Sequence, residues 1–246
     1  MAHVEVIRDD VELEAPTLVE GLPGVGLVGK IAVDHLVDAL EMTHYATCHC
    51  EGLPEVAVFT GGSPDYSPPV RIYADEERDL LALKSDVPVS PSAADEFAGC
   101  LTGWLADTDA TALYLSGLPG EKSGVPNLYG VASGEDARAL LDDHDIDPPA
   151  QSGVISGPTG ALLHHAQRGD LDALGLVAES DANFPDPEAA RAILVEAVEP
   201  IAGVEVETDS LVEQAEEISA ARERLAKQMQ EAGEESTRAQ TMGMYH

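Results

Sequence analysis

Three glycines near the start of the chain follow the pattern G-x-G-x-x-G, between a short apolar run and an amphipathic segment. They are Gly24, Gly26 and Gly29. This layout is typical of a dinucleotide-binding turn, in which backbone amides at a helix N-terminus hold the pyrophosphate. Glu51 lies near the distance along the chain at which an acidic residue binds the ribose. The pattern therefore allows an NAD-dependent enzyme.

Two other interpretations fit the same residues. The stretch from Gly24 to Lys30 also reads G-x-x-x-x-G-K, in which a glycine-rich turn and one lysine hold phosphate groups. However, Ile31 stands where such a loop needs a hydroxyl group to bind magnesium. The third interpretation is structural: a tight turn from strand to helix, with glycines where the helix approaches the sheet closely. The glycine pattern alone leaves all three open.

The remaining reactive side chains do not predict catalysis or a metal site. Ser156 lacks the G-x-S-x-G elbow of a nucleophile, because position 154 is valine. His44, Cys48, His49 and Cys50 lie close together, but alternation along a strand would turn His49 away from the other three. A zinc site of this kind also needs a second ligand pair downstream, which the sequence does not offer. We therefore expect no catalytic residues, no metal and no cofactor.

The chain is strongly acidic, since 46 Asp and Glu against 13 Lys and Arg give a formal net charge of -33. This charge excludes nucleic acid as a partner, because binding a phosphate backbone requires concentrated positive charge. The acidic residues are spread among apolar ones, which argues against an acidic disordered tail. A surface adapted to molar salt, where the repulsion between carboxylates is screened, explains the composition. We therefore expect a halophilic protein.

The sequence also bears on the compartment. Three cysteines cannot form a paired disulfide framework, and the chain does not open on a charged segment followed by an apolar signal core. No apolar run approaches the roughly 20 residues that a membrane-spanning helix needs. These features predict a cytoplasmic protein without a membrane partner.

Apolar periodicity predicts alternating strands and helices. The predicted strands are 4–7, 18–20, 43–50, 56–60, 70–74, 80–84, 112–116, 154–156 and 174–178. The predicted helices are 25–40, 91–106, 134–142, 158–167 and 187–202. Such alternation predicts a mixed, largely parallel sheet with helices on both faces, since parallel strands need crossover connections. We expect a three-layer α/β/α domain over residues 1–205, with loops at 117–124 and 180–187.

Beyond residue 205 the pattern changes to one long helix over residues 206–232. Its seam has the alternating four- and three-residue spacing of a heptad repeat, interrupted by one arginine. The seam residues are Leu211, Ala215, Ile218, Arg222, Leu225 and Met229. We expect this seam to pack on its own domain or on a second copy of the chain. Residues 233–246 lack periodicity and are predicted to form a flexible tail, which nevertheless ends on Met244, Tyr245 and His246.

Four separated blocks together resemble the archaeal branch of the proteasome assembly chaperone (PAC2) family. They are EGLPGVGLVGKIAVDHL at 20–36, SGLPGEKSGVPNLYGVAS at 116–133, SGPTGALLHHA at 156–166 and GLVAESDANFPDPEAA at 175–190. The resemblance implies a three-layer α/β/α sandwich similar to nucleoside phosphorylases and hydrolases, in agreement with the predicted elements. It also implies no nucleotide chemistry at the glycine turn, so that Gly24, Gly26 and Gly29 would serve the structure.

The same resemblance carries a functional expectation. One archaeal type in the family ends in a hydrophobic-tyrosine-any-residue motif like that of proteasome activators, and Met244, Tyr245 and His246 match it position by position. This implies a non-enzymatic, ATP-independent protein that binds the α-subunits of the core proteasome, as an assembly chaperone or as an activator. Its body would be a homo-oligomer, with or without a paralogous chaperone chain. The alternative is a nucleotide- or phosphate-binding α/β enzyme that uses the turn from Gly24 to Lys30.

Overall fold

The computed structural model describes residues 3–50, 53–59, 61–120 and 124–218. The strands in these ranges are β1 His3–Val6, β2 Thr17–Gly21, β3 Thr43–His49, β4 Val58–Phe59, β5 Tyr66–Ser67, β6 Val70–Asp75, β7 Leu80–Ser85, β8 Thr111–Pro119, β9 Leu128–Ala132 and β10 Ala173–Ser180. The helices are α1 Val28–Ala39, α2 Ala94–Leu105, α3 Glu135–Asp143, α4 Gly157–Arg168, α5 Pro187–Ile193, α6 Glu199–Ala202 and α7 at 209–218. None of these helices is long and apolar enough to cross a membrane.

Eight of the strands form one sheet with the order β1-β3-β6-β7-β2-β8-β10-β9. Four neighbouring strands, β7, β2, β8 and β10, run parallel to one another. The strands added on either side pair antiparallel. The sheet is mixed, as predicted, but the expectation of a largely parallel sheet was wrong. A short connection between β6 and β7 reverses the chain, and periodicity does not reveal which strands pair in this way.

The apolar core lies on both faces of the sheet, because consecutive strand side chains point in opposite directions. Leu18 packs with α2 and α4, whereas Val19 packs with α1 and α5. Tyr114 and Leu113 on β8 divide between the two faces in the same way. Helices α1, α3, α5 and α7 therefore cover one face, and α2 and α4 cover the other. The predicted three-layer α/β/α sandwich is confirmed.

The five predicted helices are present, with two interruptions that periodicity did not show. Helix α1 is preceded by a 3₁₀ turn, Val25–Leu27, and a π-helical turn, Leu194–Val198, joins α5 to α6. The predicted strand at 154–156 was wrong, since Val154 is 91% exposed in a segment without strand structure. The strand predicted at 56–60 shortens to β4, and the loop predicted from 117 begins only after β8 ends at Pro119.

Helix α7 is the described part of the C-terminal helix that was predicted at 206–232, and it begins at residue 209. Leu211 is 1% exposed and belongs to the core on the α1 face of the sheet. Ala215 and Ile218 are half-buried, whereas the residues between them are exposed, as the heptad spacing predicts. Arg222, Leu225 and Met229 lie outside the described residues. The division into 1–205, 206–232 and 233–246 therefore stays a prediction.

Candidate functional site

The glycine turn joins the end of β2 to the start of α1. It lies at the side of the sheet where the parallel strands have their C-terminal ends. Gly26 has φ +61° and Leu27 has φ +52°, and both values are left-handed. A Cβ atom on Gly26 would lie 1.9 Å from Ser180 Oγ and 3.1 Å from the Asp181 carbonyl oxygen. The Asp186 amide also donates to the Gly26 carbonyl oxygen at 2.8 Å. The loop after β10 therefore packs directly on this turn.

The other two glycines of the pattern differ from each other. Gly29 lies on the inner side of α1, where a Cβ atom would be 3.2 Å from the Leu115 carbonyl oxygen of β8. Gly24 has extended backbone, with φ -141°, and a Cβ atom there would meet nothing within 4 Å. Close packing thus constrains Gly26 and Gly29 in this structure, but it does not constrain Gly24.

Lys30, the lysine of the possible phosphate loop, lies in a network of charged side chains. Its Nζ atom is 2.9 Å from Asp34 Oδ2 and 3.3 Å from Asp86 Oδ1. The Lys84 Nζ atom lies 3.1 Å from Asp34 Oδ1, and the Arg71 guanidinium donates to Asp86. Two carboxylates therefore already neutralise most of the positive charge around Lys30, and a phosphate group would have to compete with them.

We expect the Lys30→Ala variant to lose only about 1 kcal/mol of stability, because Asp34 keeps Lys84 and Asp86 keeps Arg71 as a partner, so neither carboxylate is left without a cation. Titration calorimetry with NAD, ATP and inorganic phosphate should give no heat of binding for the wild-type protein. Lys84→Ala is the matched control, since it removes a cation from the same network but not from the G-x-x-x-x-G-K pattern. Saturable micromolar binding that is lost only in Lys30→Ala would favour the enzyme alternative.

Glu20, at the end of β2, is an acidic residue that the sequence analysis passed over. Its side chain is fully buried, and burial raises the pKa of this carboxyl group to about 8, although the hydrogen bond from the Leu22 amide opposes the shift. The carboxyl group also interacts with the Thr159 side chain and lies near the buried hydroxyl group of Tyr114, which interacts with Thr102. Glu20 is therefore protonated at neutral pH. The available signal was one acidic residue within the apolar run T-L-V-E-G.

The histidines and cysteines that were considered as zinc ligands have different surroundings and do not come together as one site. The His44 ring lies against the Ala46 carbonyl oxygen, and His49 bonds to Glu5 on β1. Cys48 and Cys50 are buried on the other side of the strand, against α2. Within the described parts of the chain no group of three or more side chains is arranged to hold a metal ion.

Two sets of predicted site residues lie outside the described ranges. Glu51, the residue considered for the ribose, is one of them. The C-terminal residues Met244, Tyr245 and His246 are the other. Their roles stay predictions from the sequence.

Known proteins include a matching family model and several relatives of similar sequence and structure. The PAC2 family model matches residues 18–226. Pyrococcus furiosus PbaA, described as an archaeal homologue of proteasome-assembly chaperone, is 27% identical with a TM-score of 0.78, over 94% of this chain and 99% of PbaA. PbaB of the same organism, described as an archaeal proteasome activator, is 23% identical with a TM-score of 0.77, over 92% and 98% of the two chains. An uncharacterised protein of Methanocaldococcus jannaschii is 29% identical over 91% of this chain and 90% of its own length.

Proposed function

Because the chain belongs to the PAC2 family, we propose that it binds the α-subunits of the core proteasome, as an assembly chaperone, as an activator of the finished particle, or as both. The observation that carries the proposal is the likeness to PbaA, which extends over almost the whole of both chains. PbaA is a homologue of proteasome-assembly chaperone, and PbaB is a proteasome activator. Both roles require binding to proteasome subunits, either before or after the particle is complete.

The protein acts without catalysis and without ATP in this proposal. The packing of the loop after β10 on Gly26 supports this view, because that loop takes the space next to the turn where a pyrophosphate would need room. The ion pairs of Lys30 support it as well, since the lysine already has two carboxylate partners. The body is proposed to be a cytoplasmic homo-oligomer. It is also proposed to be adapted to high salt, which the net charge of -33 supports.

The last three residues are proposed to be the main contact with the proteasome. A terminal carboxylate can be bound by a basic side chain or by backbone amides, Tyr245 can bury its ring, and Met244 can fill an apolar gap. One such tail binds weakly, but several tails on one oligomer bind together with much higher avidity. An oligomeric body would therefore multiply the effect of each tail.

Replacement of Tyr245 by alanine is expected to reduce affinity about thirtyfold for each tail, since loss of a buried aromatic anchor costs about 2 kcal/mol. Binding to purified core proteasome in molar salt is the measurement, with gate opening followed by a fluorogenic peptide. Residues appended after His246 should be about as harmful, because they move the carboxylate and leave every side chain in place. His246→Ala is the matched control and should bind nearly as well as wild type.

Oligomer mass and melting temperature should stay unchanged in all three variants, because none of them alters the described body. If Tyr245→Ala and the extended form bind with wild-type affinity, the tail is inert and the α/β body recognises the proteasome. Incubation with separate α-subunits and with finished particles then distinguishes the two roles. An assembly chaperone accelerates particle formation, whereas an activator increases peptide hydrolysis by particles that are already complete.

A further inference from the structure

All three cysteines of the chain lie at one place in the fold. Cys48 on β3 and Cys50, directly after it, alternate along the strand, so both thiols point to the same face of the sheet. Cys100 approaches them from α2, which covers that face. Cys48 and Cys50 are buried, whereas Cys100 is half-buried. Residues that are far apart in the sequence therefore place their thiols side by side.

Cys50 and Cys100 form the more intimate pair. Their side chains share a hydrogen bond, which lowers the pKa of the Cys100 thiol and raises the pKa of the Cys50 thiol, and burial raises the latter further. Cys48 lies deeper, and burial raises the pKa of its thiol. Cys100 is also the more exposed of the two residues, so it is the thiol that an oxidant attacks first, and Cys50 beside it is the resolving cysteine.

A small oxidant can reach this pair. A cleft of about 710 Å³ lies beside the end of β3 and is lined by Cys48 and Cys50, together with residues near β4 and β5. Tyr66 and Pro68 also line this cleft. Cys100 is half-buried and therefore also in contact with solvent. A molecule as small as hydrogen peroxide can thus approach both residues of the pair, Cys50 through the cleft and Cys100 from the solvent.

We propose that Cys50 and Cys100 form a reversible disulfide bond, with a peroxide as the oxidant. The Cys100 thiolate attacks one oxygen of the peroxide, the O–O bond breaks, and a sulfenic acid forms on Cys100 while hydroxide leaves. The Cys50 sulfur then attacks the sulfenic sulfur, the S–O bond breaks, and the Cys50 proton and the leaving hydroxide form water. The two thiols together lose two electrons. The hydroxide from the first step takes up the proton that the Cys100 thiol released, so one peroxide is reduced to two waters.

The bond would tie the end of β3 to the middle of α2 and close a long loop of the chain. Closure of such a loop restricts the unfolded state, so that the oxidised protein should melt about 10 °C above the reduced one. The modification is therefore a covalent lock on one face of the α/β body. It leaves the C-terminal residues chemically unchanged, so it is independent of the proposed function.

Peptide mapping of the full-length wild-type protein tests the proposal without any substitution. After treatment with hydrogen peroxide, the intact mass should fall by two hydrogens, and digestion without reductant should yield one linked peptide that contains Cys50 and Cys100. Dithiothreitol should restore both peptides. A link between Cys48 and Cys100, or sulfinic acid on Cys100 without any link, would overturn the assignment.

Three serine variants provide the second test, with melting temperature as a check of folding. Cys50→Ser and Cys100→Ser should show no peroxide-dependent rise in melting temperature, whereas Cys48→Ser should keep it. Trp104 is the single tryptophan of the chain and lies one turn after Cys100 on α2, so its fluorescence should change on oxidation in wild type and Cys48→Ser alone. An equal response in Cys50→Ser would contradict the pairing.

Discussion

Exchange of Glu20 for glutamine is expected to stabilise the protein at alkaline pH and to remove most of its loss of stability between about pH 6 and pH 9. In the folded state the pKa of this buried carboxyl group is about 8, compared with an ordinary value of 4.5. The folded protein therefore keeps a proton that the unfolded chain has lost. The free energy of unfolding falls as the pH rises from about 4.5 to about 8, and this contribution is constant above the higher value.

The size of the effect follows from the two pKa values. A difference of one pH unit corresponds to about 1.4 kcal/mol, so the full penalty is about 5 kcal/mol, of which about 3 kcal/mol develops above pH 6. Glutamine cannot ionise, and its amide oxygen can still accept the hydrogen bond from the Leu22 amide. Urea unfolding in molar salt at both pH values measures the difference between the two proteins.

Glu12→Gln is the matched control, since it makes the same chemical change on an exposed side chain. Its unfolding free energy should follow that of the wild-type protein at both pH values. If the wild-type and Glu20→Gln curves run parallel from pH 6 to pH 9, Glu20 is ionised in the folded protein, and a buried cation or water must compensate its charge.

The Gly26→Val variant is expected to yield little soluble protein, or a body that melts at least about 10 °C below wild type. Two penalties combine at this position. A β-branched side chain is strained at φ +61°, and its Cβ atom would overlap Ser180 Oγ, 1.9 Å away, on a fully buried residue. Together they should cost about 3 kcal/mol or more. Soluble yield, circular dichroism and thermal melting measure the loss.

Gly24→Val is the matched control for Gly26→Val. It adds the same side chain two residues earlier, where the backbone is extended and no atom lies within 4 Å, so it should melt near wild type. A second comparison separates the two penalties. Ser180→Gly should partly rescue Gly26→Ala, because it removes the overlapping hydroxyl but leaves the backbone strain. Equal melting of the two valine variants would mean that the loop after β10 can move away from the turn.

The role of the glycine turn could not be predicted from its sequence pattern alone. The pattern G-x-G-x-x-G fits a turn that binds a ligand and also a turn that packs on a neighbouring loop. Which of the two is present depends on the residue next to Gly26. In this protein the neighbour is Ser180, which is far away in the sequence and cannot be inferred from local spacing. The four sequence blocks pointed to the correct family because they sample several parts of the fold at once.

The elements followed from periodicity where their apolar pattern was long, as in α1 and β8. Strand β9 was missed, since Gly130 interrupts the short run L-Y-G-V-A and its partner β10 lies more than 40 residues later. At 154–156 the error is the reverse, since a strand was predicted where the structure has none. Val154 and Ile155 have strand propensity, but the segment does not pair with any strand of the sheet, and strand propensity counts only where such a partner is present.

The position of β2 at the centre of the sheet has a consequence for how the chain reaches its fold. Thr17 pairs with Leu80 on one side and with Thr111 on the other, 63 and 94 residues later in the chain. The apolar strand β2 is therefore synthesised several seconds before its partner strands β7 and β8. Contacts between such distant residues make folding slow, in the range of milliseconds to seconds after the last strand emerges. During that interval Leu18 and Val19, which are fully buried in the folded protein, are exposed to other nascent chains, so this strand is where aggregation would begin.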